Sequence, residues 1–300
     1  MLSIIICSKT PYINPVLEKN IQETAGIEYE LIAIDNSKNE FSIFSAYNSG
    51  IKRSIYPNIC FVHGDVLFKT NNWGSLVCRH LDDKNVGIIG IAGGDLVTKV
   101  PAPWSVSGIA KNFIQSDSST KRRSDIHFDQ KKYGSINQEV VLLDGVWLCM
   151  RRKIFEKIRF DDITFSGFHV YDIDICLQAK MSGYKNFVIY DIVIEHFSHG
   201  LRNKEWVMNM LKVFKKWKSI LPLYSKSYSE EEIERIEKKS LYVFVKRMVH
   251  LHFTNIEIID AVSEFWIQLY PERTLNILNR QINSMKILRA LNILGLKTHF

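Results

Sequence analysis

Four short apolar runs separated by helical stretches constrain the fold of this chain more than any other feature. Ser3–Cys7 (SIIIC), Tyr29–Ile34 (YELIAI), Asn58–Val62 (NICFV) and Val86–Ile91 (VGIIGI) are rich in β-branched residues. Such runs suit strands buried on both faces. Asn14-Pro15 opens a helix after the first run, because Asn caps an N-terminus and Pro fits a first turn. Phe41–Arg53 and Asn72–Leu81 read as the next two helices. The order β-α-β-α-β-α-β at short spacing predicts an open, mostly parallel α/β sheet. Ligands of such sheets bind at the carboxyl ends of the strands. Three of those ends are polar here: Cys7-Ser8-Lys9, Asp35-Asn36-Ser37 and His63-Gly64-Asp65.

From about 93 to 138 the pattern breaks into a long excursion with Gly93-Gly94, Pro101, Pro103 and a basic Lys121-Arg122-Arg123 stretch. Strand character returns in Glu139–Met150, interrupted by Asp144-Gly145, and a basic helix start follows at Arg151-Arg152-Lys153. A helix is expected over Tyr171–Ser182, with short strands at Asn186–Tyr190 and Val193–His196. Beyond 201 the period is helical: Trp206, Met210, Val213, Phe214 and Trp217 recur at spacings of three and four. Ser229 with Glu232 forms a capping box for a helix running to about His250. One or two further helices follow from Asn255, with a break at Pro271. The chain divides at about 200 into an α/β part (1–200) and a helical part (201–300).

Charge follows that division. The net charge is +7, and residues 201–300, with 17 basic and 10 acidic residues, hold all of it. The amphipathic basic stretch around Lys212–Lys218 could lie on an anionic membrane surface, or pack on the α/β part or on a second subunit as a homodimer contact. No apolar run reaches the roughly 18–20 residues of a membrane span, and the N-terminus lacks the pattern of a signal peptide. The five Cys are scattered without C-x-x-C spacing, so reduced cytosolic thiols are expected. A cytoplasmic protein follows, at most peripheral at the inner face of the plasma membrane.

Several residues could carry chemistry. In His63-Gly64-Asp65 a carboxylate at a strand end suits a hard cation; the alternative is a polar turn with Gly64 in a special conformation. Asp172 and Asp174 lie about 200° apart on a helix start, so they cannot share one role: both are first-turn acids, or one faces a cleft. His196 and His199 follow a β-branched run, and a strand-end His is a metal-ligand candidate. Asp144 sits in an apolar run, where a charge costs several kcal/mol unless paired or facing a ligand; Gly145 permits close approach. There is no G-x-G-x-x-G, no P-loop and no G-x-S-x-G elbow, which argues against dinucleotide, phosphoryl-transfer and hydrolase sites of those types.

The segments SIIICSK, ELIAIDNS, AYNSGI, ICFVHGDVLF, LLDGVWLCMRRKIFEKIRFDD, FSGFHVYDIDICLQAKMSGYK and VIEHFSHG resemble, in this order, the GT-A glycosyltransferases of the family-2-like type. Within it they resemble the bacterial subgroup named after a streptomycin-biosynthesis protein. The resemblance implies a GT-A fold, Rossmann-like with a mostly parallel mixed sheet, followed by an α-helical C-terminal region. It implies an inverting transfer from a nucleotide-diphosphate sugar donor to a glycan or lipid-linked acceptor in bacterial surface polysaccharide assembly. Cys7, Ser8 and Asp35 would border the nucleotide, His63 and Asp65 would occupy the D-x-D position, and Asp144 and Gly145 would line the sugar cleft. Asp172 would be the catalytic base, and Asp65 with His196 would hold Mn2+ or Mg2+. The sequence departs from the pattern where His63 replaces Asp and Tyr171 replaces Glu. Two alternatives are a sugar nucleotidyltransferase, whose Gly-rich basic loop after the first strand is lacking here, and a non-catalytic nucleic-acid- or partner-binding protein using the basic helical tail, which pI ≈ 9.0 permits although no nucleic-acid partner is expected.

Overall fold

The computed structural model describes residues 1–106, 108–116, 123–126, 134–198, 200–266, 280 and 282–286. β1 (Leu2–Ser8) lies between β2 (Tyr29–Asp35) and β3 (Asn58–Val62), all parallel. Successive strand side chains point to opposite faces. Leu2, Ile4 and Ile6 accordingly enter one buried cluster and Ile5 the other. α1 (Pro15–Thr24) and α3 (Trp73–Leu81) cover the first face through Leu17, Ile21, Trp73 and Val77, while α2 (Ile43–Arg53) covers the second through Phe44 and Tyr47. Asn14 caps α1 by accepting from Val16 N at 3.0 Å, and Ser42 caps α2 by accepting from Ser45 N at 3.1 Å.

β4 (Val66–Phe68) and β5 (Val86–Gly90) complete the first half. The segment expected to be a long excursion holds short strands instead: β6 (Ala92–Gly94), β7 (Leu96–Val97), β8 (Ile109–Lys111), β9 (Phe113–Ser116) and β10 (Arg123–Ile126). They are two to four residues long, too short for a period to show. Lys121 and Arg122 of the basic stretch lie outside the described residues, as do His199 and Pro271. The interrupted run at 139–150 resolves into parts of β11 (Asn137–Val140), β12 (Leu142–Leu143) and β13 (Trp147–Arg151). A 3-10 turn over Arg152–Glu156 stands where a basic helix start was expected. Helix α4 (Tyr171–Met181), β14 (Lys185–Ile189) and β15 (Ile194–His196) follow.

The main sheet is mixed and seven-stranded, in the order β11-β14-β5-β13-β3-β1-β2. β13 is inserted antiparallel between β3 and β5. Its register sets Cys149 opposite Cys60, and these two form a disulfide. This corrects the expectation of five reduced thiols. Pairing across 89 residues of sequence is set by sheet register, which Cys spacing does not reveal. Cys7, Cys78 and Cys176 are free thiols.

The later helices α5 (Lys204–Trp217), α6 (Glu230–His250) and α7 (Asn255–Trp266) share the cluster that contains Phe44 and Tyr47. Val207, Met210, Val213 and Phe214 of α5 are buried there beside Phe244 and Met248 of α6. The apolar stripe of α5 is therefore occupied within the chain. β16 (Leu223–Tyr224), between α5 and α6, pairs antiparallel with β7. Ser229 and Glu232 form the capping box of α6, as the sequence predicts. No helix among the described residues is long and apolar enough to cross a membrane.

Candidate functional site

Parallel pairing sets the carboxyl ends of β1, β2 and β3 along one edge, and Ser8 and Asp35 are register partners there. Burial pushes the half-buried Cys7 thiol up. Ser8 Oγ donates to Tyr12 O at 2.9 Å. Asp35 is exposed and accepts from Ser37 N at 2.9 Å, and that bond lowers its carboxyl.

Beyond β3, His63 N donates to Val146 O at 3.1 Å, which ties the strand end to the Asp144–Val146 turn. β15 pairs antiparallel with β4, with His196 opposite Val66, and Phe197 N donates to Asp65 O at 3.0 Å. This register brings together His63 and Asp65 with His196, 131 positions further along. Their ligand atoms lie within 4.8 Å of one another, and His196 Nε2 is 3.5 Å from Asp65 Oδ1. Gly64 has an ordinary φ and open space around a would-be Cβ, so no special turn geometry explains this motif.

Burial pushes the His63 imidazole down, which keeps a lone pair available. Burial alone would raise the Asp65 carboxyl, but hydrogen bonds with His196 and Ser198 and the charges of both His hold it well below the usual carboxylate range. Two imidazoles and an ionised carboxylate fit a divalent cation. Nitrogen donors favour Mn2+ over Mg2+, which prefers oxygen ligands. Lys9 lies within electrostatic reach of His63.

The second half of the site forms where α4 meets the Asp144–Val146 turn. Val170, a β-branched residue, sits at φ 64 just before α4. Such a residue rarely adopts this left-handed conformation. The turn directs Tyr171 and Asp172 at Gly145: Tyr171 Oη donates to Gly145 O at 2.9 Å, and Gly145 N donates to Asp172 Oδ2 at 3.1 Å. A Cβ on Gly145 would lie 2.2 Å from Tyr171 Oη, so only glycine fits. Asp172 Oδ1 also accepts from Ile173 N at 2.9 Å. Burial first, and then the charge of Asp144, push the Asp172 carboxyl up to about 7. Asp144 itself accepts from Trp104 Nε1 at 2.9 Å and from Val146 N at 3.0 Å.

Asp174 has the other fate open to a first-turn acid. It is fully buried, paired with Lys216 Nζ at 2.7 Å, and accepts from Trp217 Nε1 at 2.8 Å. It anchors α5 on α4. Sequence reading also passed over three neighbours of the site. Trp104 lies in a Pro-bounded turn without periodicity. Tyr171 stands out only as a departure from a family pattern. Arg202 lies within electrostatic reach of Asp144 and of Arg247 on α6; burial and the Arg247 charge lower its guanidinium. The basic tail thus brings positive charge within reach of Asp144, from which charge counting by segment had set it apart.

The chain is similar to several known proteins. ORF 6 of the ATP synthase subunits region of Fuscovulum blasticum is 26% identical over 197 residues, 63% of this chain and 72% of that protein. The streptomycin biosynthesis protein StrF of Streptomyces griseus is 25% identical over 193 residues, 62% of this chain and 64% of that protein. The structure of Staphylococcus aureus TarS 1-349 in complex with UDP-GlcNAc matches over 100% of this chain and 93% of its own, with TM-score 0.50 and 13% identity. That likeness is one of fold, in keeping with the expected GT-A architecture. Residues 4–219 match the model of the "Glycosyltransferase like family", a range that includes both halves of the candidate site. The chain is a member of this glycosyltransferase-like family.

Proposed function

We propose that the chain transfers a sugar from a nucleotide-diphosphate donor to an acceptor hydroxyl with inversion, using Asp172 as general base. The observation that carries this reading is the Asp172 carboxyl, oriented by two backbone N–H groups and pushed up to about 7. A base is most effective when its pKa lies near the working pH. As the acceptor oxygen bonds to the anomeric carbon, its proton passes to Asp172 and the bond from that carbon to the diphosphate oxygen breaks. The electron pair leaves with the diphosphate.

Asp144 accepts from the Trp104 indole and from Val146 N, which holds its charge beside Asp172. Its proximity keeps Asp172 basic enough to take the proton. His63, Asp65 and His196 would hold the divalent cation, which when bound offsets charge on the departing diphosphate. Cys7, Ser8 and Asp35 border the nucleotide in this reading, and Lys9 adds positive charge on the diphosphate side. Uridine diphosphate sugars are the first donors to try, because the TarS complex of matching fold holds UDP-GlcNAc.

A screen of nucleotide sugars for donor turnover, with Mn2+ and then with excess chelator, tests the reading. Turnover of at least one donor that stops in chelator is expected. Turnover of none, or turnover indifferent to chelator, contradicts it.

A further inference from the structure

The two residues that depart from the family pattern meet in space. His63 Nε2 lies 2.7 Å from Tyr171 Oη, and Tyr171 Oη also lies 2.9 Å from Gly145 O. A phenol has one proton, and a carbonyl oxygen can only accept. Gly145 and Tyr171 are both buried. If the phenol proton went to His63, the Gly145 carbonyl would lose this donor, and a buried unpaired group costs about 1–3 kcal/mol. Tyr171 is also hydrogen-bonded to the Tyr47 hydroxyl, which has its own proton to give to a phenol lone pair. The arrangement that satisfies all four groups is therefore still a directed chain: His63 Nε2–H to Tyr171 Oη, and Tyr171 O–H to Gly145 O. In a neutral imidazole the nitrogen without the proton is the one with a free lone pair.

We propose that Tyr171 is a positioning residue that holds His63 in its Nε2–H tautomer, so that Nδ1 is the atom offered to the cation shared with Asp65 and His196. The inference rests on the metal reading given above and adds which atom binds and what fixes it. Hydrogen-bond partners of this kind set the tautomer and orientation of metal-binding histidines, and their loss typically costs about 10–100-fold in metal affinity. The same chain of bonds ends on the carbonyl of Gly145, and the N–H of that residue donates to Asp172. Tyr171 therefore links the metal cluster to the proposed base through a single residue, Gly145, by way of the two peptide units that flank its Cα.

The test is a Mn2+ titration of the full chain without nucleotide, followed by the electron paramagnetic resonance of the free ion. Tyr171→Phe removes only the hydroxyl, and a thermal melt checks that it folds. We expect it to weaken Mn2+ binding about 10–100-fold, and to cause no further loss in a His63→Ala background. Long-range 1H–15N spectra of the metal-free wild type should show Nε2 of His63 protonated and Nδ1 bare, and Tyr171→Phe should give a mixture of tautomers. Unchanged Mn2+ affinity in Tyr171→Phe, an equal loss in the His63→Ala background, or a protonated Nδ1 in the neutral wild-type ring overturns the proposal. None of these measurements uses a sugar donor. Failure to turn over any donor would count against the transferase reading and leave this one standing.

Discussion

Asp65 and Asp172 belong to the two halves of the candidate site and are the same residue type, yet their surroundings drive them in opposite directions. At the β3 end, hydrogen bonds and the charges of two His overcome burial and keep Asp65 ionised. At the α4 end, burial is joined by the like charge of Asp144, and Asp172 rises to about 7. Carboxyl groups pushed apart in this way can divide the work, one holding positive charge and the other moving a proton. The difference arises from neighbours: Asp65 faces imidazoles, whereas Asp172 faces a second carboxylate and backbone N–H groups.

Removing the proton acceptor should have the largest effect. Asp172→Asn is expected to lower kcat about 10²–10⁴-fold with donor KM little changed, measured by steady-state transfer. Asp65→Ala should act on the other end: it should weaken donor binding in Mn2+ about 100-fold, with the residual binding no longer sensitive to chelator in calorimetry. Asp144→Asn probes the source of the asymmetry. In the wild type, kcat should rise with pH through about 7 as Asp172 ionises. Without the Asp144 charge, burial alone raises Asp172, so this limb should move to lower pH.

The smallest effect is on stability. The folded-state pKa of Asp172 lies above its ordinary value of 3.8. Its contribution is therefore fully present below about pH 4 and is lost as pH rises through about 7. Thermal melts should show Asp172→Asn gaining on the wild type by about 2–5 °C between pH 5 and pH 8.

Strands and helices that repeat their pattern over several residues were legible. β1, β2 and β3 lie within a residue or two of the runs read from sequence, as do the Asn14 cap and the Ser229–Glu232 box. The short strands between 92 and 143 were not, because two- to four-residue strands show no period and are defined by distant partners. Site residues at strand ends, His63 and Asp65 among them, were visible as polar breaks after apolar runs. What brings His196 beside Asp65 is the β4–β15 register, and what raises Asp172 is the approach of Asp144. Neither leaves a local mark in sequence. The separation of a neutral first part from a basic tail was correct as arithmetic, but Arg202 and Lys216 carry tail charge to Asp144, Asp161 and Asp174.

The opposed states of the two carboxylates can be observed directly by following side-chain carboxyl 13C shifts of Asp-labelled, metal-free protein against pH, with assignments from Asp172→Asn and Asp65→Ala. One resonance, absent from Asp172→Asn, should titrate near pH 7, while the resonance absent from Asp65→Ala stays ionised down to the acid limit of the fold. Titration of Asp172 in the ordinary carboxylate range near 4, alongside Asp65, would contradict the assignment of Asp172 as the base.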